Sequence, residues 1–122
     1  MSLKKPKLKE KITTVEFPVL RYEFTILLTT DIKASYLNHY KYHYDGRVDP
    51  MAMHFKEHGD NKSTIFLKPN ASEEVIAHEC YHGIRAMQRN FTNQDTGNEE
   101  WEAYHLGWLV GKVHEHLKKK SK

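Results

Sequence analysis

The amino-acid sequence predicts an α+β domain in which a small three- or four-stranded sheet lies over helices. Three observations predict it. Segments 20–29, 51–57 and 63–68 are short and rich in β-branched and aromatic residues, as strands are. Segments 71–91 and 98–117 are longer and repeat their apolar residues at helical spacing. The order is strand, helix, strand, strand, helix, helix, without the strict alternation of a doubly wound sheet.

Each element has its own signals. Residues 1–14 are basic and polar and are expected to form a flexible segment. From Val15 to Thr30 the composition is strand-like, but Pro18 argues against one unbroken strand, so the strand is placed at 20–29. Asp31 can cap a helix running to Tyr42, with Ala34, Leu37 and Tyr40 as its apolar positions. Asp45-Gly46 marks a turn. The next two strands are joined by residues 58–62 and make a plausible antiparallel hairpin. Pro69-Asn70 ends the second of them. Asn70 and Glu73, three apart, suit a capping box for the helix over 71–91. A polar loop leads to the last helix, and residues 118–122 form a basic tail. The division is thus one folded domain over 15–117 between two basic ends.

A chain of 122 residues argues for one domain, and 39% hydrophobic with 29% charged residues is an ordinary folded composition. No apolar run is long enough to cross a membrane, and no hydrophobic stretch follows the first lysines, so neither a membrane partner nor a signal peptide is expected. The lone Cys80 has no internal disulfide partner, which fits a reducing, cytoplasmic location. The net charge of +3 is concentrated at the two ends. Such tails could touch nucleic acid or an acidic partner; the favoured reading is a pair of solvated ends, so nucleic acid is not the expected partner.

The stretch Val75-Ile-Ala-His-Glu-Cys-Tyr-His-Gly83 contains H-E-x-x-H. On a helix, Ile76, Cys80, Ile84, Met87 and Phe91 fall on one stripe and His78 and His82 on nearly the opposite side. Side chains four apart project side by side and can hold one metal ion, for which Zn²⁺ is the expected choice. Glu79 lies at the edge of that second face, where it can act on a water as a general base. The competing reading is a polar helix face in a chain with nine histidines. The pairs His39/His43 and His114/His116 are read as structural or exposed, and Cys80 as a small buried hydrophobe.

A catalytic zinc needs a third protein ligand. The last helix opens with Glu99, Glu100 and Glu102. Its apolar stripe is Leu106, Leu109, Val110, Val113 and Leu117, with Glu102 at the margin. Glu100 shares another face with Tyr104, Gly107 and Gly111. Two glycines one turn apart would let that face approach the histidine helix closely. Glu100 is therefore the preferred third ligand, Glu102 the alternative and Glu99 the last choice. Tyr104 and His105 are candidates to steady a ligand or an oxyanion, with packing as the competing role for each. Trp101 and Trp108 share a face that is expected to pack beneath the N-terminal segment.

His78-Glu-Cys-Tyr-His82, followed by a helical glutamate, resembles the gluzincins, the zincin branch whose third ligand is Glu. Glu100-Trp-Glu-Ala-Tyr-His-Leu-Gly-Trp-Leu109 is similar to the end of small H-E-x-x-H proteins encoded by bacteriophages, and the ImmA/IrrE-type peptidases share the general plan. The resemblance covers about residues 70–112. It implies a minimal zincin-like domain, Zn²⁺ held by His78, His82 and Glu100, and peptide or protein substrates. It implies a zinc-dependent hydrolase in which Glu79 activates a water. The alternative is a zincin-fold binding or phage assembly protein that keeps the metal without turnover. A phage origin would place the protein in the bacterial cytoplasm or in the virion. Where larger gluzincins carry an acidic residue after the ligand glutamate, this sequence has Tyr104.

Overall fold

A computed structural model of the chain describes residues 8–17, 21–40, 52–56, 61–92 and 99–119. Within them the chain forms a mixed four-stranded sheet and three helices, an α+β domain as expected. The elements are β1 (Glu10–Phe17), β2 (Tyr22–Thr29), α1 (Ile32–Tyr40), β3 (Ala52–Lys56), β4 (Lys62–Leu67), α2 (Glu73–Thr92) and α3 (Glu99–Lys118). The sheet order is β1-β2-β4-β3. β2 and β4 pair in parallel, and both outer pairs are antiparallel.

β1 corrects the sequence reading. Residues 10–14, expected in a flexible segment, are the first half of a strand in continuous register from Glu10↔Thr29 to Phe17↔Tyr22. The run Ile12-Thr-Thr-Val15 is β-branched throughout, and such residues favour the extended chain. Pro18 marks the end of this strand rather than the start of a single later one. The chain reverses before Tyr22, with Arg21 in the left-handed region at φ 51°. The expected hairpin of β3 and β4 forms, from Ala52↔Leu67 to Lys56↔Ser63.

Both faces of the sheet are covered. On one face Phe24, Ile26, Leu28, Ile65 and Leu67 meet Ile76, Cys80, Ile84 and Met87 of α2 and Leu109 and Val113 of α3. On the other, Leu27 and Phe66 meet Ile32 and Tyr36 of α1, with Tyr40, Met53 and Phe55 beside them. Each fully buried large side chain contributes roughly 1.5–3 kcal/mol by leaving water. Asp31 caps α1 as expected, its Oδ1 accepting from the Ala34 amide at 3.0 Å. The buried positions of α1 are Ile32, Ser35 and Tyr36, whereas Leu37, expected inside, is exposed. Ser35 is drawn in by its hydroxyl, which lies 2.6 Å from Thr29 Oγ1. The turn at 45–46 and the end of the helix at Tyr42 lie outside the described residues.

α2 and α3 share one face of the sheet. α2 lies against β3 and β4, while α3 reaches β1 and β2, where Trp108 packs 5.2 Å from the Phe17 ring. That is the packing expected of Trp108; the Trp101 side chain lies outside the described residues. The close approach of α2 to its neighbours occurs at Gly83. A Cβ there would stand 3.1 Å from Phe24 Cε1, 3.4 Å from Leu109 Cδ2 and 3.5 Å from Ile65 Cδ1.

Gly83 gives a graded expectation. Alanine gains about 1 kcal/mol of helix propensity and costs a similar amount of crowding, so Gly83→Ala should move stability by less than about 1 kcal/mol. Gly83→Val adds two methyl groups with no space to take them and should destabilise by about 2–3 kcal/mol. Urea unfolding of both variants checks the pair, and equal stabilities would contradict this packing.

Candidate functional site

α2 begins one residue after Ser72, whose Oγ accepts from the Val75 amide at 3.2 Å while its carbonyl accepts from the Ile76 amide at 2.9 Å. Ser72 is therefore the N-cap. Asn70, expected to cap, lies in the preceding turn, where the Ala71 amide donates to the Lys68 carbonyl. Glu73 and Glu74 occupy the first turn, where negative charge suits the helix N-terminus. This start fixes the rotation of the helix. Ile76, Cys80, Ile84 and Met87 are turned into the core, and His78 and His82 are exposed. Phe91, placed on the core stripe by the sequence, has its side chain outside the described residues. Burial pushes the Cys80 thiol up to about 12, with the charge of Glu79 adding to it, so Cys80 is neither nucleophile nor ligand in the folded chain.

The His78 and His82 rings meet nearly at right angles, and their Nε2 atoms lie 3.1 Å apart. In the absence of an ion, one ring can donate to the other. Two nitrogens bound tetrahedrally to one zinc stand about 3.3 Å apart, given metal–nitrogen distances near 2.0–2.1 Å. The pair therefore fits a zinc ion with little movement.

Glu79 is only 8% exposed. Burial pushes its carboxyl above the usual carboxylate range, and His78 and His82 pull it back in part. A recess of about 330 Å³ lies beside it, lined by Ala52, Glu74, Val75, His78 and Glu79. A desolvated carboxyl next to two imidazoles and an open recess is suited to exchange a proton with a small molecule there.

β3 supplies a residue that the sequence reading did not single out. Its odd-numbered Met53 and Phe55 pack toward α1, and Ala52 borders the α2 recess. His54 shares the Ala52 side, its ring stacked 6.4 Å from that of His82. His54 Nε2 lies 2.9 Å from Ser63 Oγ, which lies 2.6 Å from Tyr22 Oη. This chain of polar groups fixes the ring. Burial first, then His82 and Lys56, push the His54 pKa down to about 4. The signal was present in the period-2 pattern of residues 52–56. Using it required knowing that this strand borders α2.

α3 is held against α2 by Arg85 Nη1, 3.3 Å from Glu102 Oε1, and by His114 Nε2, 3.0 Å from Glu73 Oε2. Glu102, the alternative third ligand, thus faces α2, in an ion pair one turn beyond His82. The glycine argument does not hold. A Cβ added at Gly107 or Gly111 meets nothing within 4 Å, and Tyr104 is 74% exposed. That face is turned to solvent because α3 seats Leu109 and Val113 on the sheet and Leu109 on Gly83. The Glu99 and Glu100 side chains lie outside the described residues. His105 is buried with its ring edge-on to Phe17 at 4.5 Å. Phe17 belongs to β1, at the opposite edge of the sheet from β3, so His105 packs away from the histidine pair. His116, read as exposed, is 4% exposed. Among the described residues no group of three His, Cys, Asp or Glu side chains is gathered to hold a metal. Among them, too, no helix is long and apolar enough to cross a membrane. No known protein family, curated protein or solved structure matches the chain.

The His54 environment carries a pH expectation. Its pKa is about 4 in the folded chain and about 6.5 when unfolded. The unfolded chain binds the proton more readily, so this part of the stability is complete above about pH 6.5 and is lost as pH falls toward 4. His116, lowered by burial, acts in the same sense. With chelator present, the melting temperature should fall between pH 7 and pH 5, and His54→Gln should flatten that slope. An unchanged slope would show that His54 is not the buried neutral imidazole described.

Proposed function

We propose that this chain is a zinc-dependent hydrolase of the small gluzincin type, acting on peptide bonds. The observation that carries the reading is the His78–His82 pair, 3.1 Å between Nε2 atoms, beside the buried Glu79 and its recess. His78 and His82 would hold the ion, with a carboxylate at the start of α3 as third ligand: Glu100 by the sequence resemblance, or Glu102 by its position toward α2. Bound there, Zn²⁺ supplies a Lewis acid that lowers the pKa of a water and polarises a carbonyl. Glu79 would take a proton from a water in the recess and return it to the leaving amine, a task suited to a carboxyl whose proton affinity burial has raised. His54 lies nearly parallel to His82, with ring centroids 6.4 Å apart. Among the described residues β3 is an edge strand next to α2, along which an extended peptide could pair and pass the recess.

Elemental mass spectrometry of the untagged protein tests the site. Wild type should hold about one zinc per chain. His78→Ala and His82→Ala should lose it, and whichever of Glu100→Ala and Glu102→Ala loses it identifies the third ligand. No zinc after addition and dialysis ends the metal reading.

Glu79→Gln separates the metal from the chemistry. It should retain zinc and lose about 10²–10⁴-fold in peptide hydrolysis, followed by mass spectrometry on a mixture of unfolded proteins. Zinc held with no cleavage by wild type would favour the binding or assembly protein that keeps its metal.

A further inference from the structure

Lys9 and Lys11 near the start of the sequence and Lys118 and Lys119 near its end stand at one place in the fold. His116 Nε2, 105 positions away along the chain, lies 2.9 Å from the Lys11 carbonyl, and the Lys11 ammonium donates to the Lys119 carbonyl. The start of β1 and the end of α3 are thereby tied together. Between them is a recess of about 360 Å³ whose lining includes Lys9, Lys11, Thr30 and Lys119. Residues 1–11 and 118–122 together carry nine lysines and one acid, Glu10, a net charge of +8. The whole chain is +3, so residues 12–117 carry −5. Four of these lysines, Lys9, Lys11, Lys118 and Lys119, stand together among the described residues and make a positive pole that the net charge conceals. Glu10, the one acid in these stretches, also lines the recess, with its carboxylate 3.0 Å from His39 Nε2. Lys9, Lys118 and Lys119 form no ion pair with a described residue.

We propose that this pole binds the sugar-phosphate backbone of nucleic acid without regard to base sequence. Clustered ammonium groups neutralise phosphates as point charges and release counterions. Lys9, Lys11 and Lys119 are anchored by backbone contacts of β1 and α3, so binding them together costs less ordering than two free tails would. The negative remainder of the chain turns the pole toward a polyanion and keeps the other faces away from it. An anionic lipid surface fits less well. Firm attachment there takes an inserted apolar group in addition to charge, and of the leucines that line the recess Leu28 is buried and Leu117 half-buried.

The test is fluorescence anisotropy of a labelled, random-sequence DNA duplex with the full chain. With about five phosphates neutralised, a fourfold rise in salt should weaken binding by about 500-fold. The variant Lys9→Gln/Lys11→Gln/Lys119→Gln should bind far more weakly, and the same rise should then cost only about tenfold. Neutralising Lys33, Lys56 and Lys62 to Gln instead should leave most of the affinity. Melting curves check each variant. Should the Lys11 change unfold the seam, the exposed pair Lys118→Gln/Lys119→Gln replaces it. Three results would each overturn the proposal: no duplex binding at low salt, equal loss in the control variant, or tighter binding to phosphatidylglycerol vesicles than to the duplex.

Discussion

The seating of α2 on the sheet is the constraint on which the rest depends. Gly83 leaves room for Phe24, Ile65 and Leu109 to come within van der Waals reach of the helix backbone. With Ile76, Cys80, Ile84 and Met87 pressed on the same side, the helix has no freedom to rotate. His78 and His82 are then held outward, and Glu79 is caught at the margin between core and solvent. The raised proton affinity of Glu79 is thus a consequence of packing. The residues that give α2 its chemical face do not hold it in place.

The edge of the sheet completes the arrangement. β3 alternates strictly, with Met53 and Phe55 serving the α1 side and Ala52 and His54 the α2 side. A shift of one residue in the β3–β4 register would exchange these two sets and remove His54 from His82. The pairing from Ala52↔Leu67 to Lys56↔Ser63 therefore fixes the surroundings of the histidine pair as well as the sheet.

Much of this was legible in the sequence, and what was missed has physical causes. The core stripe of α2 and the outward histidines follow from periodicity alone, because one long amphipathic helix has a single way to bury itself. β1 was missed because Lys9, Glu10 and Lys11 hide the start of a strand whose β-branched centre follows at once. The apolar stripe of α3 was read correctly, but a second face was expected to approach α2 as well and does not. The small residues Gly107 and Gly111 suggested that second face; Leu109, Val113 and His116 lie on the buried one. Burial of larger side chains decided between them. His116 was read as exposed, and its burial is explained by the position of the Lys11 carbonyl, which local sequence does not reveal. The histidines and Glu79 needed only their own helix to be placed. His54 and the third carboxylate depend on which elements become neighbours, which no local pattern records.

The seam between β1 and α3 bears on how the chain folds. Its contacts join positions 105 apart, so closing it comes late and yields little until most of the chain is ordered. The β1–β2 pair and the β3–β4 hairpin can form, and α2 can settle on β3 and β4, while α3 is still being synthesised, leaving the β1–β2 part of the face that α2 and α3 share uncovered for the interval. Such a surface invites association with other chains before the last helix arrives. In the mature fold, fraying there would release the beginning of the sheet and the end of the last helix as one unit.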